Sequence, residues 1–558
     1  MTDEYQSPPP PSFAPPPRTC VPALRPKQSF APTLSPEALL HVSGRDERDM
    51  RIGIIGGGAT GSVVLQQLSE AFSGKPRAFA ISEIVLFDAS GFDGGLAYRT
   101  ASEHHLLNMK IGTMSAVAAD ADHFVRWVRS TGRASNAAEH LPRFLYRRYL
   151  DHLRDQAATR CEAVGVRVCS IATKVERLHR TGPDEFTAEL AGEAPITLGA
   201  VVLCTGHNAP EDHYGLAGCR NFSGDPYASP VAIADEPGTR IGIIGTGLTA
   251  IDNALALGLR LRHATITCIS RSGRFPKVQP IVPARTNPAF RRSIEQHVAE
   301  RPKIGAEAFA RCIETSLRVT SGLHLDFTSP GTEINGLAQL QRDIEEAESG
   351  DATAYSHLSA ITDLVCDAWR KMDDGEKSHF MRHTYSGWMR NRHGMPLVNA
   401  RRLRALAQAG RLRLAAGLQG ITPDGDGFAA RFNDGSAHGF DFLISATGPS
   451  YSVAGSSFYT EMARTGLVRI NPFGGVVCDH PDGRVRDGAG QPHRNLFAVG
   501  SPTRGSFFYA AAMDINVTRA RSMTESLLGC LASPTASVPP PLPHPAQAET
   551  LQALCVEG

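Results

Sequence analysis

The fold of this chain is decided by one short stretch, RIGIIGGGATG (Arg51 to Gly61), which returns almost unchanged as RIGIIGTGLTA (Arg240 to Ala250). Each copy is an apolar run that ends in closely spaced glycines and precedes residues with helical periodicity. A strand, a tight glycine turn and a helix in this order place backbone amides at the positive end of the helix, where a pyrophosphate binds. The repeat therefore predicts two dinucleotide-binding units in one chain.

The first copy fits the pattern G-x-G-x-x-G, and a second strand, ISEIVLFDAS, follows its helix and ends in Asp88. An acidic side chain at that point accepts hydrogen bonds from the ribose hydroxyls of an adenosine. A purely structural glycine turn is the alternative, but the second strand and Asp88 favour an FAD site. The predicted FAD contacts in this copy are Gly56, Gly58, Ala59, Thr60, Gly61 and Asp88.

The second copy differs at the end of its next strand, ATITCISRSGRFP, where serine and arginine replace the acid. An ionised acid there repels a 2′-phosphate, whereas an arginine binds one through charge-assisted hydrogen bonds. This copy therefore predicts NADPH rather than NADH, the alternative being that the arginines are solvated surface. The predicted contacts are Gly245, Thr246, Gly247, Leu248, Thr249, Ala250, Ser270, Arg271 and Arg274.

Two further apolar runs end in a Thr-Gly pair, LGAVVLCTGHNAP and FDFLISATGPSY. We expect such strands where the chain crosses between the two units, because a small Thr-Gly pair lets backbone pass close to a cofactor. Thr447 and Gly448 are accordingly expected beside NADPH or at the domain crossing. Nearer the C-terminus, RNLFAVGSPTRG predicts a strand that ends at Gly500 and is followed by a loop and a long helix.

The composition limits the functional classes. The 558 residues carry 57 Lys and Arg against 56 Asp and Glu, and this balance gives no reason to expect a nucleic acid or an acidic membrane as partner. No apolar run approaches the roughly 20 residues of a membrane span. Eleven scattered cysteines without a C-x-x-C pair indicate a reducing cytoplasm, no metal site and no redox-active dithiol.

Five segments resemble a family of bacterial FAD/NAD(P)-binding proteins related to the N-hydroxylating flavin monooxygenases. They are GIIGGGATG, GGLAYRTASEHHLLNMKIGTMS (Gly94 to Ser115), GIIGTGLTAIDNALAL with SRSGRFP, ATGP, and VGSPTRG. The second segment is the most distinctive, and the resemblance implies that Asn108 and Met109 contact the flavin; plain core packing of HHLLNM is the alternative. It also implies that Gly500 and Ser501 lie at the flavin, where many relatives have Gly-Asp.

The resemblance implies an FAD- and NADPH-dependent monooxygenase that N-hydroxylates a small amine or amino acid, aspartate included, with dioxygen through a flavin hydroperoxide. Two departures qualify it: Ala228 stands where Baeyer–Villiger enzymes have a histidine, and the tyrosine of the ornithine-type D-x-x-x-(L/F)-A-T-G-Y motif is delayed to Tyr451. The first disfavours ketone oxygenation and the second loosens the match to amine hydroxylases. An NADPH-dependent reductase without oxygen transfer and a non-catalytic redox sensor remain alternatives.

The predicted fold class is α/β, with an FAD domain, an inserted NADPH domain and a helical insertion. We expect a disordered Pro-rich N-terminus over 1–48 and a flexible tail over 532–558. The remaining expected ranges are the FAD domain at 49–225 and 449–531, the NADPH domain at 226–285 and 405–448, and a helical substrate cap at 286–404.

Within the cap, the segment FMRHTYSGWMRNRHGMP (Phe380 to Pro396) is rich in arginine and histidine. Arg382, His383 and Arg390 are candidate ligands of a substrate carboxylate, because arginine binds carboxylates bidentately. A basic surface, contacts with NADPH phosphates and a bridge between domains are the alternatives.

Overall fold

The protein is described by a computed structural model over residues 50–73, 80–208, 210–227, 233–281, 286–327, 336–351 and 353–532. The expected disordered N-terminus and flexible tail lie outside these residues, except for Ala532, which ends the last helix. Ala228 also lies outside them. Within the described part of the chain, no helix is long and apolar enough to cross a membrane.

The first large sheet has six strands, parallel except for the edge strand β16. In spatial order they are β16 (Arg484–Arg486), β17 (Pro492–Ala498), β7 (Ala200–Leu203), β1 (Met50–Ile55), β2 (Ile81–Phe87) and β3 (Arg167–Ile171). One face is covered by α1 (Ala59–Phe72), α3 (Arg143–Glu162) and α15 (Met513–Ala532). The other face packs on a small antiparallel sheet, β4 (Val175–Gly182), β5 (Glu185–Leu190) and β6 (Glu193–Leu198). These layers bury β1 completely at Ile52 and Ile54, as its continuous apolar run predicts.

The second large sheet repeats this plan with five parallel strands. In spatial order they are β11 (Leu412–Ala415), β10 (Thr265–Ile269), β9 (Arg240–Ile244), β15 (Phe442–Ser445) and β8 (Phe222–Ser223). Helix α4 (Leu248–Arg260) covers one face. The antiparallel sheet of β12 (Leu418–Asp424), β13 (Gly427–Phe432) and β14 (Ala437–Phe440) covers the other. The predicted fold class, two Rossmann-like units in one chain, is confirmed, although β8 starts the second sheet a few residues before the expected boundary at 226.

The expected helical cap is divided between two cores. Its helices are α5 (Pro288–Ala299), α6 (Ala306–Ser321), α7 (Gly336–Glu348), α8 (Ala354–Ser359), α9 (Thr362–Lys371), α10 (Asp374–His379), α11 (Tyr385–Arg392) and α12 (Leu397–Gln408). Helices α7 and α12 pack on the second large sheet and belong to that domain. The other helices enclose a separate core around Trp369 and Trp388, which also receives Phe508 and Tyr509 from the C-terminal part of the chain. A π-helical turn, Phe380–Thr384, joins α10 to α11.

Three shorter helices complete the description: α2 (His123–Ser130), α13 (Ser457–Arg464) and α14 (Arg504–Phe507). Helix α14 leads into α15 through Phe508, which has a φ of +65° and a ψ of −63°. The amide of Tyr509 donates to the carbonyl of Phe507 at 2.8 Å, so Phe508 is the centre of a γ-turn, a strained conformation for a residue with a side chain. This turn carries Phe508 and Tyr509 into the helical core.

Candidate active site

The first glycine turn connects β1 to α1 and combines close packing with open space. A Cβ atom on Gly56, whose φ is +107°, would lie 2.1 Å from the carbonyl oxygen of Cys204, and one on Gly61 would lie 1.9 Å from the oxygen of Gly56. These two glycines let β1, β7 and α1 approach one another. A Cβ on Gly58 would have no atom nearer than 3.6 Å. The N-terminus of α1 is therefore open beside Gly58, as pyrophosphate binding requires.

A cavity of about 530 Å³ begins at this turn, and we call it the nucleotide cavity. Its lining includes these residues named from the sequence: Gly56, Gly58, Ala59, Thr60, Asp88 and Ser501. At the end of β2, one oxygen of Asp88, Oδ1, accepts from the amide and hydroxyl of Ser90 at 2.8 and 2.5 Å. No donor among the described residues bonds its other oxygen, Oδ2, which leaves an acceptor for ribose hydroxyls. Gly500 lies directly behind, where a Cβ would be 2.9 Å from Thr60 Oγ1.

Two buried polar atoms indicate that the nucleotide cavity is built for a polar ligand. Asn516 Oδ1 and His207 Nε2 have no hydrogen-bond partner among the described residues, and both residues line the cavity. Burial lowers the pKa of His207 to about 4, so its imidazole is neutral at physiological pH. Unsatisfied buried polar atoms are uncommon in native proteins. The open α1 terminus, Asp88 and these two atoms together fit FAD.

The second glycine turn reproduces the first. A Cβ on Gly245, whose φ is +125°, would lie 2.4 Å from the carbonyl oxygen of Ala446, and a Cβ on Gly247 would have no atom within 4 Å. The pairs Gly56–Cys204 and Gly245–Ala446 are thus equivalent, which places both Thr-Gly pairs, Thr447-Gly448 included, beside a glycine turn. The N-terminus of α4, with Leu248, Thr249 and Ala250 in its first turn, has the same open approach as α1.

The end of β10 carries the residues predicted to select NADPH. The Ser270 hydroxyl accepts from the Gly273 amide at 2.9 Å and lies 3.3 Å from the Thr246 hydroxyl, so this turn is ordered by its own side chains. Arg271 is exposed, while Arg274 is half-buried in a recess of about 280 Å³ that Arg390 also lines. The residues at this end of the sheet fit a phosphorylated ribose.

A second cavity, of about 430 Å³, adjoins the nucleotide cavity, and we call it the central cavity. The two share as walls Tyr98, Ala510, Ala511 and Met513. Its other walls come from every part of the molecule: Asn108, Met109 and Lys110 before α2, Gln279 after β10, Tyr355, Arg392 and His393 from the helical insertion, and Arg504 to Ile515 from the C-terminal part. Gln279 Nε2 donates to the carbonyls of Asn108 and Gly394 at 2.5 and 2.8 Å, and thereby joins three of these parts.

The structure separates the sequence-predicted residues of the substrate and flavin region. Asn108 and Met109 line the central cavity rather than the nucleotide cavity. Arg382 and His383 are exposed and line neither cavity, and Arg390 lines the separate recess. The basic segment does reach the central cavity, but through Arg392 and His393. Regular helical spacing from Phe380 misses this, because the π-helical turn shifts the later residues around the helix axis.

The charged groups of the central cavity are unevenly partnered. Arg392 donates from Nε and Nη2 to the Thr362 hydroxyl at 3.0 and 2.8 Å. Burial, with Arg392 and Arg504 nearby, lowers the pKa of His393 to about 3, so His393 is neutral at physiological pH. Burial also raises the pKa of Asp514, against the opposing effect of Arg392. The site thus combines two guanidinium groups, the ammonium of Lys110, a neutral imidazole and one carboxylate.

Comparison with known proteins agrees with this geometry. Residues 53–208 match a family model described as FAD-NAD(P)-binding. No curated protein sequence matches the chain significantly. The fold and this match define a flavoprotein with one dinucleotide-binding domain inserted into another, and they confirm the predicted relation to FAD/NAD(P)-binding proteins and the expected FAD and nicotinamide cofactors.

Several solved structures are similar to this chain, one of them with a TM-score above 0.5. L-lysine 6-monooxygenase from Pseudomonas syringae is 14% identical, with a TM-score of 0.53 and coverage of 86% of this chain and 100% of that one. An ornithine N-hydroxylase from Kutzneria sp. 744 is 14% identical, with a TM-score of 0.49 and coverage of 86% and 98%. Thioredoxin reductase from T. acidophilum is 13% identical, with a TM-score of 0.44 and coverage of 87% and 100%. At an identity of 14%, the likeness to the lysine monooxygenase concerns the fold alone.

Proposed function

We propose that the protein is an FAD-dependent, NADPH-consuming monooxygenase that N-hydroxylates a small amine or amino acid. The observation that carries this proposal is the central cavity, which adjoins the nucleotide cavity and is lined by both dinucleotide-binding domains and the helical insertion. Its volume, about 430 Å³, suits a small metabolite beside the reactive end of a bound cofactor. The lysine monooxygenase of similar fold is named for the same class of reaction.

Bound FAD, once reduced by NADPH, supplies the oxygen-activating chemistry. The chain supplies position: the α1 terminus at Gly58 and Asp88 would hold the two ends of the adenosine diphosphate, and the α4 terminus at Gly247 would hold the NADPH pyrophosphate. Arg271, with Ser270, would contact the 2′-phosphate. No catalytic side chain is required at the oxygen, so the work of the protein is binding and exclusion of water.

The helical insertion is suited to exclude water from the central cavity. Phe508 and Tyr509 form part of the cavity wall and are buried in the helical core, to 1% and 7% exposure. The Trp388 indole donates to the Tyr509 hydroxyl at 2.5 Å, which satisfies both polar groups inside this apolar wall. Neutral His393, on the same wall, is able to accept a hydrogen bond from an uncharged amine. The insertion therefore closes one side of the cavity and presents an acceptor to the substrate.

The cysteines disfavour the rival in which the flavin reduces a disulfide. Of the nine cysteines in the described ranges, Cys204 is the one that lines either cavity. Burial raises the pKa of Cys204 far above its ordinary value, so it stays a thiol rather than a nucleophilic thiolate. Among the described residues, no pair of cysteines lines these cavities to relay electrons from the flavin.

The test uses the purified full chain loaded with FAD. NADPH is expected to bleach the flavin anaerobically, and in air one or more members of a panel of amines and amino acids should accelerate NADPH oxidation and gain an oxygen atom on nitrogen, read by mass spectrometry. Rapid NADPH oxidation without any oxygenated product would support a reductase instead. Failure of NADPH to bleach the flavin would support the redox-sensor alternative.

A further inference from the structure

Arg504 is a buried cation that faces the central cavity and has no counterion among the described residues. It is 5% exposed and lines the cavity at the start of α14. Three aromatic rings surround its guanidinium carbon, those of Phe508 at 4.7 Å, Tyr451 at 5.0 Å and Tyr385 at 5.4 Å from ring centroid to Cζ. Throughout the described ranges, no side-chain or backbone acceptor makes a hydrogen bond or ion pair with this guanidinium.

Among the described residues, the other arginines buried as deeply as Arg504, namely Arg154 and Arg484, pair with carboxylates, as does the nearly buried Arg143. Arg143 Nη2 lies 2.7 Å from Asp252 Oδ2, Arg484 Nη2 lies 3.1 Å from Asp482 Oδ2, and Arg154 pairs with Asp151. This is the expected arrangement, since a buried charge without a partner is strongly unfavourable. Among the described residues, Arg504 is a buried arginine without such a carboxylate partner, and it faces a cavity that a ligand can enter.

The rings leave the correct part of Arg504 available. Aromatic rings contact the flat faces of a guanidinium, whereas its N–H groups point outward in the guanidinium plane. The rings therefore flank Arg504 without using its hydrogen bonds, and no acceptor among the described residues uses them either. A planar guanidinium edge matches the two oxygens of a carboxylate.

The remaining charges of the cavity do not serve as its counterion. Asp514 is the carboxylate that lines the cavity in the described part of the chain, and it makes no ion pair with Arg504. Lys110 Nζ is held by the carbonyls of Pro280 and Ile281, both at 3.1 Å, and Arg392 by Thr362. The cavity therefore has an excess of positive charge, and its least partnered member is Arg504.

We propose that Arg504 binds the carboxylate of the substrate, so that the substrate is an amino acid or another amine that bears a carboxylate. That the bound carboxylate belongs to a substrate rests on the proposed function. The binding of a carboxylate to Arg504 can be measured without turnover. The rings of Tyr385, Tyr451 and Phe508 flank the guanidinium, and His393 lines the same cavity. A carboxylate on Arg504 would thus bring the rest of the molecule past the neutral imidazole.

Binding is measured by calorimetry on the FAD-loaded full chain, with the proteinogenic L-amino acids and their α-carboxamides as paired probes. We expect the acid of at least one pair to bind and its amide to bind on the order of 10- to 100-fold more weakly, because a hydrogen-bonded charge pair is lost. Arg504→Met should weaken binding of the acid by a similar factor and leave binding of the amide unchanged. Arg504→Lys keeps the charge but loses the planar edge, so its affinity for the acid should lie between those of the wild type and Arg504→Met. Arg382→Met, on the surface, is the matched control and should bind as wild type does.

Stability distinguishes ligand binding from a structural role. Without substrate, Arg504→Met should retain FAD and unfold at the same temperature as the wild type or higher, because it removes a buried charge that has no counterion among the described residues. A variant that loses FAD or unfolds well below the wild type would overturn the proposal, as would equal weakening of acid and amide. If acids bind through Arg504 but no amine is oxygenated, the proposed function fails and the carboxylate site stands. If amides are oxygenated as readily as acids, the proposed function stands and the assignment of Arg504 as the carboxylate ligand fails.

Discussion

Arg143 and Asp252 join the two dinucleotide-binding domains through a buried ion pair. Arg143 begins α3 of the first domain, Asp252 lies in α4 of the second, and their Nη2 and Oδ2 atoms are 2.7 Å apart. Tyr227 bridges the pair, accepting from Arg143 at 2.8 Å and donating to Asp252 at 3.3 Å. Burial raises the pKa of Asp252 to about 6, although Arg143 opposes this shift. The relative placement of the two nucleotide sites therefore depends on the side chains of Arg143, Asp252 and Tyr227.

Breaking this pair on one side should be strongly destabilising. Asp252→Ala leaves the Arg143 charge buried without a partner, so we expect the free energy of unfolding to fall by about 3–5 kcal/mol. The double variant Arg143→Met/Asp252→Leu should recover most of that loss. Asp441→Ala, which removes an exposed ion pair with Arg240, is the control and should change stability by at most about 1 kcal/mol. Urea unfolding followed by circular dichroism measures the stability of all three variants. A double variant no more stable than Asp252→Ala would show that the unpaired charge of Arg143 is not the cause of the loss.

The parts of the fold that could be predicted from the sequence are those whose signals are local. The glycine turns, Asp88 and the Thr-Gly strands each occupy one continuous segment, and their chemistry depends on residues a few positions apart. The strand β8 was missed as the start of the second sheet, because two residues are too short to show strand periodicity. The division of the helical insertion between two cores was missed because both kinds of helix have an apolar face.

The central cavity could not be predicted, because its walls come from segments hundreds of residues apart. Arg504 is part of the segment VGSPTRG, but its lack of a counterion among the described residues depends on the residues packed around it and has no sequence signal. The same is true of the γ-turn at Phe508, since a positive φ is expected at glycine rather than phenylalanine. Arg392 and His393 were in the right segment, and the π-helical turn decided which of its basic residues face the cavity.

Replacement of two glycines in the first turn should cause different defects, one in folding and one in FAD binding. Gly56→Ala places a methyl group against backbone at a φ of +107°, so we expect poor folding. Gly58→Ala has room in the protein but extends towards the bound pyrophosphate, so the chain should fold and bind FAD roughly 10- to 100-fold more weakly, as for overpacking of about 1–3 kcal/mol. Flavin content after purification and thermal unfolding of the apoprotein separate the two effects. Normal FAD affinity in Gly58→Ala would place the pyrophosphate elsewhere.

Arg271 should determine the preference for NADPH over NADH. Removing a charge-assisted contact with the 2′-phosphate costs about 1.5–3 kcal/mol, so Arg271→Ala should raise the apparent KM for NADPH roughly 10- to 100-fold and leave that for NADH unchanged. Anaerobic flavin reduction at varied nucleotide concentration measures both. Arg382→Ala, which replaces an exposed arginine that lines neither cavity, serves as control. An equal loss with the two nucleotides would show that Arg271 contacts another part of the cofactor, and no loss with either would make it solvated surface.

His105 should contribute to loss of stability in acid. Its Nδ1 lies 2.6 Å from the Thr100 hydroxyl, its Nε2 is buried without a described partner, and burial, with Arg143 and His104 adding to the effect, lowers its pKa to about 4. The unfolded chain protonates histidine near pH 6.5, so between about 6.5 and 4 the unfolded state binds more protons, and the free energy of unfolding must fall as the pH falls. His105→Asn keeps a polar group near Thr100 and removes the titration, so its decline from pH 7 to pH 5 should be smaller by roughly 1–2 kcal/mol. His213→Asn, at an exposed position, should follow the wild type; parallel curves for wild type and His105→Asn would mean that His105 is accessible to protons in the folded state.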